Sequence, residues 1–192
     1  MKITPVPHGL NLLATDLVRS PGLHASTIFN RLYQHLEPKR YLSDTPPEPL
    51  LLALGTAWEK HLEYLLLKNG IQAERPDELL SPEGIAYSPD LLVFNGITRL
   101  GEIKLTFQSS RDYPLSGTEY NGLPPKADKW LVQMMLYAYW LGLHEGWLCV
   151  LFLGDRPLTK DSLRVFEIGW TDRELQENAD MCLNFAHSEG LL

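Results

Sequence analysis

In the segment SPDLLVFNGITRLGEIKL, residues 88 to 105, two apolar runs flank an Asn95-Gly96 pair. Asn-Gly between two such runs is a strong sequence signal for a β-hairpin. Three charged side chains interrupt the apolar pattern, namely Asp90, Glu102 and Lys104. Buried strands rarely carry charged residues, so these three predict either a solvated cluster of charges or a functional site.

The register of the hairpin decides whether the three charges meet. Residues two apart in a strand share a face, so Glu102 and Lys104 project together and the residue between them points into the core. A two-residue turn would place Asp90 opposite Gly101, on the other face. A three-residue loop with Gly96 in a left-handed conformation, or a bulge just before Asp90, shifts the parity and brings Asp90 beside Glu102. We expect that shift, and a plain two-residue hairpin would contradict it.

Two carboxylates and a lysine on one face fit metal-assisted phosphodiester hydrolysis. Close carboxylates repel, and without a partner one of them is driven to protonate. Mg²⁺ takes oxygen ligands from one or two carboxylates plus water and phosphate, and the backbone carbonyl of Ile103 can add another. Such a metal acidifies water and polarises a phosphodiester, while Lys104 can hold that water or offset charge on the phosphate. The alternative is a solvated cross-strand cluster, stabilised by the pair of Glu102 with Lys104.

The bulk composition indicates one soluble domain. The chain has 192 residues, of which 44% are hydrophobic and 21% charged, with a formal net charge of −7. That charge argues against a broad basic surface but leaves room for a local basic groove. Two cysteines, Cys149 and Cys182, are too few for a disulfide framework, a four-cysteine zinc site or an iron–sulfur cluster. The absence of an apolar run of about 18 residues and of a signal-peptide layout predicts a cytoplasmic protein without a membrane partner.

The pattern along the chain predicts the order α, α, β, β, α, β, β, α. The first helix is expected to start at Ser26 as N-cap and end before Pro38, and the last to open with a capping box at Thr171. The segments between them are a helix ended by Asn69-Gly70, the hairpin, a helix from 129 to 142, and strands over 146–154 and 163–170. This order predicts an α/β fold with a mixed sheet flanked by helices. We expect a single domain with an arm and helix (1–47), a core (48–155) and a terminal strand and helix (156–192).

A long polar stretch over residues 106–128 follows the hairpin. A connection of that length inside a compact domain is uncommon, and it is either a functional lid or a disordered surface insertion. Arg111, Lys126 and Lys129 flank it and can contact phosphates, although nearby acidic residues such as Asp128 dilute the positive charge. We expect any contact with nucleic acid to use these three cations.

Three short motifs resemble one nuclease superfamily. Asp90, followed by eleven residues and then Glu102-x-Lys104, resembles the PD-(D/E)XK signature. The pair Gly55 and Glu59 is similar to the G-x-x-x-E helix that precedes this site in the branch containing RecB and lambda exonuclease. A third motif, Q-x-x-x-Y at residues 133 and 137, matches the helix that follows the site in that branch. The resemblance covers about residues 50–155 and implies a restriction-endonuclease-like core.

The same resemblance implies a role for each motif residue. Asp90 and Glu102 would hold Mg²⁺, or Mn²⁺ in its place, with Glu59 as a third carboxylate that binds directly or through water. Gln133 would orient Lys104 or a phosphate, and the Tyr137 hydroxyl would support it. His61 is the alternative to Glu59, because some family members carry a histidine here. Two residues turn a helix by roughly 200°, so both cannot face the metal, and the spacing from Gly55 favours Glu59.

The resemblance implies a magnesium-dependent deoxyribonuclease without an iron–sulfur cluster. An exonuclease of recombination, repair or phage DNA processing is expected, acting on single-stranded DNA or a duplex end in the cytoplasm, or in the host cytoplasm if phage-encoded. The alternatives are a sequence- or structure-specific endonuclease and an inactive nuclease fold that serves binding or assembly. A homo-oligomer or a recombination-protein partner is compatible with either. The residues leave polarity, strand preference and the choice between DNA and RNA open.

Overall fold

The computed structural model describes residues 20–41, 49–115 and 122–192. Most of the expected N-terminal arm and the centre of the expected long loop lie outside these described residues. Within them, the helices are α1 (Ala25–Leu36), α2 (Pro38–Tyr41), α3 (Pro49–Lys68), α4 (Ala127–Leu141) and α5 (Asp172–Ser188). The strands are β1 (Gln72–Glu74), β2 (Leu79–Leu80), β3 (Ala86–Tyr87), β4 (Leu91–Asn95), β5 (Ile97–Thr106), β6 (Glu145–Phe152) and β7 (Leu163–Gly169).

A five-stranded mixed sheet forms the centre of the fold, in the order β1-β4-β5-β6-β7. Strands β5 and β6 are parallel, and α4 connects them, as a parallel pair requires. The other neighbouring pairs are antiparallel. Strands β2 and β3 form a separate small sheet. The α/β fold class with a mixed sheet and flanking helices is therefore confirmed.

Two hydrophobic cores cover the two faces of this sheet. The larger core joins α1, α4 and α5 to one face and includes Leu100 of β5. The smaller core lies under α3 on the other face and includes Ile103 of the same strand. Because side chains alternate along a strand, the even-numbered residues of β5 from Leu100 onward face α4. Glu102 and Lys104 therefore lie on the side of α4.

Helix ends follow the sequence signals in four of the five places where a signal was present, including the end of α1 at Leu36, before Pro38. Helix α3 ends just before Gly70 (φ 77°), and α4 ends at Gly142, which adopts the left-handed conformation (φ 65°). The capping box of α5 forms between Thr171 and Glu174. The expected start of the first helix was wrong, because α1 begins at Ala25 with His24 at the N-cap position. His24 forms a β-bridge to β3, so a tertiary contact sets this helix start.

The expected element order missed three short strands in residues 72–87. Strand β1 has three residues, and β2 and β3 have two each. Runs this short carry no readable alternation of apolar and polar residues. Their pairing comes from neighbours instead, since β1 extends the main sheet along β4. No helix in the described part of the chain is both long and apolar enough to cross a bilayer.

Candidate active site

The hairpin has the register that brings its charges together. Asn95 pairs with Ile97 around Gly96, whose φ is 76°, and the pairing continues to Leu91 opposite Gly101. This pairing is shifted by one residue relative to the register that a two-residue turn would give. Extending the same register by one position places Asp90 opposite Glu102, on one face of the sheet. The expected parity shift is confirmed.

Asp90 and Lys104 meet at the end of that pairing. Asp90 lies directly before β4, and its Oδ2 accepts a hydrogen bond of 2.8 Å from the backbone N–H of Ile103. The Lys104 Nζ lies 3.7 Å from the same oxygen and also contacts Oε1 of Glu102. The ammonium therefore bridges the two carboxylates.

Glu102 is fully buried, yet only one of its two carboxylate oxygens accepts a hydrogen bond from a described residue. Its Oε1 accepts a hydrogen bond of 2.7 Å from Gln133 Nε2 in α4. Its Oε2 is buried, and no described residue donates a hydrogen bond to it. Burial, with the charge of Asp90 added, raises the pKa of Glu102 to about 8. Burial alone would lower the pKa of Lys104, but the two carboxylates outweigh it and raise that pKa above its usual range.

The arrangement at Glu102 and Asp90 fits a hard divalent cation. A buried carboxylate oxygen without a donor is costly, and a metal ion would satisfy it. The Ile103 N–H points towards Asp90, and the N–H and C=O of one strand residue point to the same neighbour. The Ile103 carbonyl is therefore expected on the same side as Asp90. In the described ranges, no group of three carboxylate, histidine or cysteine side chains lies close enough to hold a metal by itself. Two carboxylates with water and phosphate suit Mg²⁺.

Glu59 faces the site from α3 but is paired with another residue. Its Oε2 lies 2.7 Å from Nη1 of Arg75, just beyond β1. Burial, followed by the charge of Asp90, raises the pKa of Glu59. His61 instead lies exposed, with its ring against Trp58 and Tyr64. Of the two candidates, Glu59 is therefore the one placed in the cleft.

Gln133 and Tyr137 lie one turn apart on α4 and line the same cleft. Gln133 donates to Glu102. Tyr137 is buried, and its ring packs against Phe29 and Tyr87. Gln133 therefore contacts Glu102 of the carboxylate pair, and Tyr137 forms the adjoining wall.

A cleft of about 530 Å³ lies between α3 and α4 and is lined by residues of both helices. Gly55, Glu59 and Arg75 line one part of it, and Gln133 and Tyr137 line another. A glycine at position 55 would permit a close approach by another backbone or by substrate. No described atom lies within 4 Å of where a side chain at Gly55 would begin, so a protein backbone is not the reason. The open space beside this glycine faces the cleft.

A second cavity of about 300 Å³ adjoins the first at Gln133 and is basic. Lys104, Lys126 and Lys129 line it. Burial lowers the pKa of both Lys126 and Lys129, and Lys104 lowers that of Lys129 further. Arg111 does not line either cavity, and its Nη2 instead donates to the backbone of Arg156. The structure thus groups two of the three expected phosphate contacts with the site.

Three residues of these cavities were missed from the sequence: Arg75, Asn30 and Tyr41. Arg75 reaches Glu59, Asn30 accepts a hydrogen bond from Lys129, and Tyr41 lies under the Lys129 ammonium at 5.3 Å. No motif contains them. They reach the site only through the packing of β1 and the first two helices, which the sequence pattern does not specify.

Comparison with known proteins reveals likeness at the level of fold. No protein-family model matches the chain, and neither does any curated protein sequence. An alkaline exonuclease, LHK-Exo from Laribacter hongkongensis, superposes with a TM-score of 0.55 and 18% identity over 87% of each chain. A phage related exonuclease from Haemophilus somnus 129PT superposes with a TM-score of 0.54 and 12% identity, covering 85% of this chain and 79% of that one. The chain therefore shares its fold with these two solved exonuclease structures.

Two further solved structures share this fold. LHK-Exo in complex with dAMP superposes with a TM-score of 0.50 and 18% identity, covering 88% of this chain and 89% of that one. A protein called SSO0001 superposes with a TM-score of 0.53 and 16% identity, covering 91% of this chain and 80% of that one. At such identities the likeness concerns the fold, and the chemistry depends on the residues of the site.

Proposed function

We propose that this protein is a metal-dependent DNA nuclease, and specifically an exonuclease. One observation carries the proposal: the buried Oε2 of Glu102 has no hydrogen-bond donor in the described chain, although Asp90 and Lys104 stand beside it. A structural charge cluster would be expected to satisfy every buried oxygen, whereas a metal site leaves one for the ion. The fold shared with two exonucleases supports the same conclusion.

Asp90, Glu102 and the Ile103 carbonyl would hold Mg²⁺ or Mn²⁺, with Glu59 reaching it directly or through water. The bound ion would supply an acidified water and a polarised phosphodiester. Glu59 would have to exchange its contact with Arg75 for direct ligation, so a water-mediated contact requires the smaller rearrangement.

The other residues of the site would orient the metal ligands and the substrate and would stabilise the charge that develops on the phosphate. Lys104 is held as an ammonium by its two carboxylate neighbours, so it would donate a proton in a hydrogen bond to phosphate oxygen and offset the charge that develops there. Gln133 fixes the Glu102 carboxylate through Oε1, and Oε2 would remain available to hold a metal ion. Tyr137 would complete the wall against which the substrate lies.

DNA would enter along the two adjoining cavities. Lys126 and Lys129 give the smaller cavity local positive charge in a chain whose net charge is −7. Partly buried ammonium groups interact with phosphate more strongly than fully hydrated ones. One of the structural neighbours binds dAMP, which supports a strand of deoxynucleotides as the ligand class.

Cleavage assays on linear and covalently closed circular duplexes, with Mg²⁺ and with EDTA, test the proposal. Wild type should degrade the linear duplex only when metal is present and leave closed circles intact. Lys104→Ala should be inactive, whereas Lys68→Ala, at the exposed end of α3, should match wild type. Digestion of closed circles would indicate an endonuclease instead. No cleavage by folded wild type with either Mg²⁺ or Mn²⁺ would refute nuclease activity and favour a binding module.

A further inference from the structure

The ion pair between Arg75 and Glu59 lies inside the substrate cleft, close to the proposed metal ligands. The Arg75 side chain is 41% exposed and that of Glu59 is 20% exposed. Both residues line the larger cleft together with Gln133 and Tyr137. The Glu59 carboxylate is close enough to Asp90 for their charges to interact, and the two partners come from different parts of the chain, α3 and the segment just after β1.

The contact between Glu59 and Arg75 is short, but it does not use all the N–H donors of the Arg75 guanidinium. A guanidinium carries five N–H donors in a planar fork that matches a carboxylate or a phosphate with two parallel hydrogen bonds. Oε2 of Glu59 lies 2.7 Å from Nη1, yet no described donor reaches this oxygen in hydrogen-bond geometry. The contact is therefore an ion pair without the bidentate alignment, and donors of Arg75 remain for another ligand.

Arg75 supplies the positive charge of a lysine or arginine to the described lining of the larger cleft. Among the described residues that line it, Arg75 is the one lysine or arginine, and Glu59 and Glu78 are acidic. Lys104 lies nearby but is already bridged between two carboxylates. A phosphodiester that enters this cleft would meet net negative charge unless Arg75 turned to it. Phosphate oxygen matches the guanidinium fork at least as well as Glu59 does.

We propose that Arg75 binds a backbone phosphate of the nucleic acid and that this phosphate displaces Glu59 from the arginine. Glu59 then serves as an internal competitor, which holds Arg75 towards α3 until substrate arrives. Displacement also frees the Glu59 carboxylate on the side of Asp90. This inference rests on the proposed function, because it takes a nucleic-acid strand as the ligand.

A double-mutant cycle on DNA binding tests it without any metal. The affinity of a fluorescein-labelled single-stranded oligonucleotide is measured by fluorescence anisotropy in EDTA over a KCl series. Arg75→Ala should weaken binding about tenfold. It should also lower the slope of log affinity against log salt by about 0.7, the value for one lost phosphate contact. Arg75→Lys should keep the slope and lose only part of the affinity, and Arg173→Ala, on exposed α5, should match wild type.

The decisive variant is Glu59→Gln, in both backgrounds. With Arg75 present it should tighten binding about two- to fivefold, because the internal competitor is gone. With Arg75→Ala the tightening should be no larger than the general charge effect that Glu78→Gln shows, because no arginine is left to release. Glu78→Gln makes the same charge change in the same cleft and contacts His24 instead, so its effect should be equal in both backgrounds.

The outcomes separate this inference from the proposed function. Equal tightening by Glu59→Gln in both backgrounds, or unchanged affinity and slope in Arg75→Ala, would overturn the role of Arg75 while DNA binding by wild type stands. Urea unfolding of each variant confirms that a folded protein is compared, and Arg75→Lys keeps the test decisive if the alanine variant is unstable. Absence of DNA binding by wild type, together with absence of cleavage, would overturn both.

Discussion

Replacing Glu102 with glutamine is expected to abolish DNA cleavage and at the same time to stabilise the metal-free protein. The side chain is fully buried, its Oε2 lacks a donor in the described chain, and Asp90 adds a second negative charge. Glutamine keeps the size and removes the charge. Lys104 retains Asp90 at 3.7 Å as a counter-charge, so the substitution does not leave the ammonium unpaired.

The size of the effect follows from the pKa of Glu102, which burial and Asp90 raise from 4.5 to about 8. Between these two values the folded protein binds more protons than the unfolded chain, so stability falls as pH rises from about 4.5 to about 8. Each pH unit is worth about 1.4 kcal/mol, so the glutamine variant should be more stable than wild type by about 3 kcal/mol near pH 7. Near pH 4.5 the difference should disappear.

Urea unfolding in EDTA across this pH range measures the difference directly. Glu177→Gln, an exposed glutamate on α5, serves as the matched control and should change stability by less than about 0.5 kcal/mol. Added Mn²⁺ should stabilise wild type and leave the Glu102 variant unchanged. A Glu102→Gln variant that is less stable than wild type near pH 7, or a gain in stability that does not depend on pH, would contradict a raised pKa of Glu102 as the source of the effect.

Three further substitutions have expected outcomes. Gly55→Ala should raise stability by about 0.5–1 kcal/mol, because the described structure leaves space for the methyl group, and should raise the KM for DNA by filling the cleft, as thermal unfolding and steady-state kinetics would show. Gln133→Leu should lower kcat by about 10- to 100-fold with a smaller change in KM, because Glu102 loses the donor that orients it. Hydrogen bonds from the Ser109 and Ser110 hydroxyls hold the pKa of Asp155 below its usual range, so this carboxylate contributes stability that is lost as pH falls below about 4. Asp155→Asn should lose that contribution at neutral pH and show a weaker acid dependence in urea unfolding.

The sequence predicted the features that depend on local backbone conformation. Gly96 adopts the left-handed conformation that shifts the hairpin register, and that shift alone brings Asp90 to the face of Glu102. Gly142 and the Thr171 capping box end and begin their helices where the pattern indicated. Each of these is determined within a few residues of the chain, which is the range that sequence patterns report.

The features that the sequence did not predict depend on contacts between distant segments. Arg75 reaches Glu59 because β1 pairs with β4. A strand of three residues is too short to show an alternation of apolar and polar residues in the sequence. Lys129 meets Asn30 across α1 and α4, at a separation of 99 residues. Arg111 and Lys126 flank the same stretch of sequence, but of the two only Lys126 lines a described cavity beside the site. The ion pair of Arg75 with Glu59 and the grouping of lysines in the basic cavity both depend on tertiary packing, which the spacing of the motifs does not specify.

A crystal structure of wild type soaked in Mn²⁺, with diffraction recorded at the manganese absorption edge, tests for a metal at this site. Metal binding by the two carboxylates predicts an anomalous peak in contact with Asp90 and with Oε2 of Glu102, near the Ile103 carbonyl, that is lost in Glu102→Gln. No peak at this position at high Mn²⁺ concentration, or a peak that persists in the Glu102 variant, would contradict it.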